Sequence, residues 1–178
     1  MSDLEYWEQR IADTGARIAT LLASDAQQFF QDTLRERFIA QGDVADSLSD
    51  ADLVALKAAA SKAAAEAAAS VLAGLSPPVW HLASAPEAEA DLLSLPAVAS
   101  TFHAFERRLN DFLGAHGLSD PEPAQWRLPK RFIEGENLVT LARHLFKALG
   151  ERQVLRGKAA AQQASSTAQA RRQRWEEA

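Results

Sequence analysis

Apolar side chains along this chain recur at three- and four-residue steps, and no stretch alternates long enough to make a strand, so the pattern predicts helix nearly throughout. Leu4, Trp7, Ile11, Ile18, Leu22 and Phe29 fall on one face at about 100° per residue. Phe30, Leu34 and Phe38 form a second row on a different face. The spacing predicts a first helix over residues 3–40, opened by the capping-box pair Ser2 and Glu5. Either it breaks near Ser24 and Asp25, where a polar pair can recap a new helix, or it runs on and meets two different neighbours. A straight helix of that length spans about 55 Å, against roughly 40 Å for a compact domain of this size. An unbroken helix must therefore overhang, and an overhang with an uncovered Phe30, Leu34 and Phe38 row is a second candidate interface, open to a homo-oligomer through the N-terminal helix.

The segment GDVADSLSD interrupts the periodicity after Ala40, and Ser49 followed by Asp50 and Asp52 predicts the N-cap of a second long helix. This one is rich in alanine, with Leu53, Leu56, Val71 and Leu72 as its larger anchors, and it should end at Gly74 before Pro77 and Pro78. A short connector with Trp80 and His81 follows. Ser84 and Glu87 then mark the start of a short helix with Leu92, Leu93 and Leu95 on one side. Pro96 opens a principal core helix whose stripe is Val98, Phe102, Phe105, Leu109 and Phe112, closed at Gly117.

A connection of about 20 residues, 117–136, then separates that helix from the next, where about 2 to 8 is ordinary. It carries Pro121, Pro123 and Pro129, which rule out a helix interior, and enough large apolar side chains to predict an ordered loop. Leu138, Leu141, Leu145 and Leu149 resume a single helix face, with Asn137 as N-cap and Glu134 and Glu136 at the positive end of the dipole. The expected architecture is all-α: one bundle domain of about five helices over residues 1–156, then an Ala/Gln/Arg-rich tail over 157–178 that is helix-prone and partly mobile.

Composition agrees, since Gly and Pro together number only 15 of 178 residues. Its alanine-rich, lysine-poor character resembles that of proteins from high-GC bacteria. There is no cysteine, which excludes disulfides and thiolate metal sites. An acidic, polar start and the lack of any long apolar run point to a cytoplasmic protein that does not enter membranes. Net charge is −5, but residues 1–100 carry 15 acidic and 6 basic side chains whereas 101–178 carry 9 and 13, leaving the halves at −9 and +4. Such an asymmetry favours packing of one half on the other.

Catalytic signatures are weak. No serine sits in a G-x-S-x-G elbow, and neither G-x-x-x-x-G-K-[ST] nor G-x-G-x-x-G occurs. A di-iron bundle needs paired Glu-x-x-His motifs, whereas His103 and Glu106 stand once in reverse order, so no metal and no cofactor are expected. Trp126, Arg127, Lys130, Arg131 and Phe132, followed by Glu134 and Glu136, gather the residue types that carry most binding energy at protein interfaces. They predict a non-enzymatic adaptor or regulatory subunit that binds another protein through the loop 126–136. Against this stands a lid, in which Trp126, Phe132 and Ile133 turn inward and only the charges face out. One alternative is a small helical enzyme with an acid/base site near Glu134, Glu136 and His144. Another is a nucleic-acid-associated protein using the same basic and aromatic residues, or Arg171, Arg172, Arg174 and Trp175, though an acidic chain of pI 5.4 argues against it.

Overall fold

The computed structural model describes residues 1–76, 79–82, 84–87, 91, 92, 94–126 and 138–177. Among these the chain is all-α, one domain of five helices and no strand. They are α1 (Asp3–Ala40), α2 (Gly42–Ser47), α3 (Asp50–Gly74), α4 (Pro96–Ala115) and α5 (Leu138–Glu177). None of the described helices is long and apolar enough to cross a membrane.

α1 is the axis on which the rest packs. It is unbroken across Ser24 and Asp25, and its 38 residues extend about 57 Å. The polar pair that could have recapped a new helix does no such work: Asp25 points sideways and accepts a hydrogen bond from a distant tryptophan, while Ser24 stays exposed. α3 and α5 lie along α1, and α4 reaches it at Phe29 and Phe30, one residue from each apolar row, both against Phe105. Phe30 and Leu34 are buried and Phe38 is half-buried, so the row considered as a second interface is mostly core. Phe30 stands 5.4 Å from the ring of Phe112 and 6.4 Å from that of Phe105.

Local signals set the helix ends. Ser2 and Glu5 form the full capping box, and the Ser49 hydroxyl accepts from the Asp52 N–H at the start of α3. The segment after Ala40 is not a plain turn, because residues 42–47 form the short helix α2 between those two caps. α3 presents Ala60, Ala64 and Ala67, with Leu56 and Val71, as its buried face, and small side chains there let its backbone approach its neighbours closely. Leu72, expected as an anchor, is 40% exposed, one helical step round from the buried Val71. α4 comes so near that a methyl group at Gly74 would sit 3.0 Å from Thr101 Oγ1. Its buried stripe is Val98, Phe102, Phe105, Leu109 and Leu113; Phe112, expected in that stripe, lies at its edge, half-buried over Phe30.

α5 runs antiparallel to α1. Arg156 bonds Glu8 at 2.9 Å, and a parallel course would put Leu138, which is fully buried, beyond the start of α1 where no core exists. That ion pair joins the acidic half of the chain to the basic half. α5 continues without a break through Gly150 and Gly157, and every residue from 157 to 177 is exposed.

Candidate partner-binding site

Residues 117–126 lead from α4 to the basic segment, and polar side chains from two helices hold them in place. Gly117 has a φ of +71°, the left-handed conformation that closes α4, and the Leu118 N–H donates to Leu113 O at 2.8 Å. Leu118 is thereby turned into the core. From the last turn of α1 Arg37 Nη2 donates to Glu122 O at 2.9 Å and stands 3.7 Å from Asp120, and from the cap after it Gln41 Nε2 donates to Ser119 O at 2.7 Å. From α4, Asn110 clamps both backbone groups of Ala124: its Oδ1 accepts from the Ala124 N–H at 2.8 Å and its Nδ2 donates to the Ala124 carbonyl at 3.0 Å. One turn earlier on the same face, Glu106 Oε1 accepts from the Trp126 N–H at 3.0 Å. A loop that cannot use helix or sheet ladders must satisfy its backbone in this way when it is pressed onto a core.

The clamp ends on Trp126. Its ring stacks on Phe102 with centroids 3.8 Å apart and planes 11° from parallel, and it tilts against Phe105 at 4.8 Å. Its Nε1–H donates to Asp25 Oδ2 at 2.6 Å, so the polar edge of a side chain only 4% exposed is satisfied. Of the two alternatives for this residue, touching a partner or closing the bundle, the structure shows the second. Arg127, Lys130, Arg131, Phe132, Glu134 and Glu136, the other members of the candidate loop, lie outside the described residues, as does Ile133. The chain is described again at Leu138, which has no exposure. Trp126 and Leu138, the described residues on either side of the basic segment, both belong to the core.

His144, the third member of the alternative acid/base site, is exposed on α5, and its companions Glu134 and Glu136 lie outside the described residues. His103 is 75% exposed and stands 3.7 Å from Glu106. Among the described residues no group of three His, Asp or Glu side chains could hold a metal ion. Sequence reasoning missed Asp25, Glu106 and Asn110, the residues that place Trp126; each is a polar side chain on a helix whose partner lies 14 to 101 positions away. Only the unusual length of the connection hinted that something had to hold it.

Elsewhere, an open cleft of about 670 Å³ lies between α3 and α4. Phe30 and Phe112 are among its apolar lining, Ala63, Ala69 and Ala73 line it from α3, and Glu66, Arg108 and Asp111 supply its charge. Arg108 bonds Ser70 across it. No family model, curated protein or solved structure matches this chain.

Proposed function

We propose that this protein is a non-enzymatic, cytoplasmic interaction module, an adaptor or regulatory subunit that binds another protein through the basic segment 127–136. The observation that carries the reading is the anchoring of that segment. Trp126 on one side and Leu138 on the other are both buried, and the Trp126 end is reinforced by four polar side chains of α1 and α4 and by Gln41 at the cap of α1. Part of the entropy of ordering a binding loop is then met on folding rather than on association. Arg127, Lys130 and Arg131 supply guanidinium and ammonium donors, and arginine is among the residues most enriched at binding hot spots.

The test is the triple variant Arg127→Ala, Lys130→Ala, Arg131→Ala compared with the native chain as baits in the host. The native chain should recover a stoichiometric protein partner, and the variant should bind that partner at least about tenfold more weakly, a difference of 1.4 kcal/mol. The melting temperature of the variant should stay within about 3 °C of the native value. Unchanged affinity, or unfolding of the variant, refutes the reading.

A further inference from the structure

We propose that the projecting part of α5 is a dimerisation arm that takes the same arm of a second copy of this chain, antiparallel. The register of α5 on α1 is set by Arg156 against Glu8, so residue 161 of α5 draws level with Asp3, and residues 162–177 run on alone for about 24 Å. A single helix of that length, containing Ser165, Ser166 and Thr167, is a poor helix former by itself in water and gains its stability from packing.

Three features commit the arm to a second copy. Trp175 is 84% exposed and Val154 54%, and at the start of the chain Met1 is 90% and Tyr6 47% exposed, so four large apolar side chains face water at this end of the molecule. Gly157 lies inside α5 with nothing within 4 Å of where its side chain would be, so no contact within the protomer calls for glycine there. Charge differs along the same axis, with Asp3 and Glu5 at the start of α1 and Arg171, Arg172 and Arg174 near the far end of the arm, where Glu176 and Glu177 follow and leave a net charge of +1.

An antiparallel pair centred at residue 166 satisfies all three. Trp175 of one copy then stands over Gly157 of the other, level with the Tyr6 and Trp7 ring pair, whose centroids are 5.1 Å apart. Ala164 meets Ala168, small residues that permit close approach. Arg171 and Arg172 come level with Asp3 of the other copy; against these stand two like-charge meetings, Arg174 with Lys158 and Glu176 with Glu8, the second offset by Arg156 beside it. The same patch serves both copies, so the contact closes as a twofold and does not propagate into a filament. Two tryptophans bury about 150–250 Å² each, and the balance of the roughly 1,200 Å² that a stable interface needs is about 400 Å² per copy, the order of one face of a five-turn helix.

The experiment uses the full-length chain in sedimentation velocity from about 1 to 100 µM, the range in which a micromolar dimer dissociates. The native protein should pass reversibly from 19.3 kDa to twice that mass. Trp175→Ala and Gly157→Leu should each raise the dissociation constant at least about tenfold. The second variant is the decisive one, because within the protomer it meets open space and replaces glycine by a better helix former, so it loses the dimer without loss of helicity or melting temperature. Orientation is read by oxidation of a chain that has no native cysteine: Ala161→Cys and Arg171→Cys proteins should cross-link when mixed and not singly. A monomer at every concentration overturns the proposal, as does a dimer indifferent to both variants. Self-cross-linking of Ala161→Cys alone shows parallel pairing and overturns it too.

Discussion

Replacing Trp126 by alanine tests the anchoring on which the functional reading depends. The ring is 4% exposed, stacks at 3.8 Å on Phe102 and packs at 4.8 Å on Phe105, so its removal should cost the amount usual for a buried large aromatic, about 3–5 kcal/mol. A share of that belongs to the 2.6 Å bond from Nε1 to the Asp25 carboxylate, since hydrogen bonds to charged groups contribute about 1.5–3 kcal/mol. Trp126→Phe separates the two by keeping the stack and losing only the donor. Against a total stability of about 5–15 kcal/mol, the alanine variant should still fold but melt roughly 6–20 °C lower. Equilibrium urea unfolding followed by far-UV circular dichroism gives the free energies. A double-mutant cycle of Trp126→Phe with Asp25→Asn gives the coupling, expected at about 1–2 kcal/mol. Below its melting temperature, Trp126→Ala should also weaken partner binding, since it frees one end of the basic segment without removing a charge, whereas Trp126→Phe should bind nearly as the native chain does. A cost under about 1 kcal/mol for the alanine variant, or no coupling to Asp25, refutes the account of how the loop is held.

Three further outcomes follow from the same contacts. Asn110→Leu removes both bonds to the Ala124 backbone and should cost about 1–3 kcal/mol, with faster amide hydrogen exchange localised to residues 118–126. Gly117→Ala places a side chain at a φ of +71° and should destabilise by about 1–2 kcal/mol in thermal unfolding although it touches nothing, because the cost lies in the backbone. Deleting residues 158–178 should shift the melting temperature of the dilute protein by no more than about 2 °C, since all of the described residues in that stretch are exposed; a larger loss would mean that Trp175 docks on its own body.

Elements governed by short-range physics were legible in the sequence. The caps at Ser2 and Ser49 satisfy N–H groups three residues away, and Gly117 supplies a conformation demanded by its own position, so nothing distant is needed to recognise them. The limits of α1, α3 and α4 followed, as did the all-α class, because helical periodicity and the small number of Gly and Pro are properties of neighbouring residues. The continuity of α1 was not legible. Ser24 and Asp25 read equally well as a cap and as polar residues on a running helix, and it took Trp126, 101 positions on, to give Asp25 its partner. In the same way Phe30 and Leu34 are apolar wherever they go; α3 and α4 decided that they would be core. The candidate loop divides along that line. Its composition marked residues 126–136 as unusual, but whether Trp126 faced a partner or Phe102 depended on Glu106, Asn110 and Asp25 converging from two helices, and hydrogen bonds across such separations leave no periodic trace in the chain. Sequence determines which segments become helices because each turn closes on itself; which faces meet, and hence which side chains remain available for binding, is a property of the packed whole.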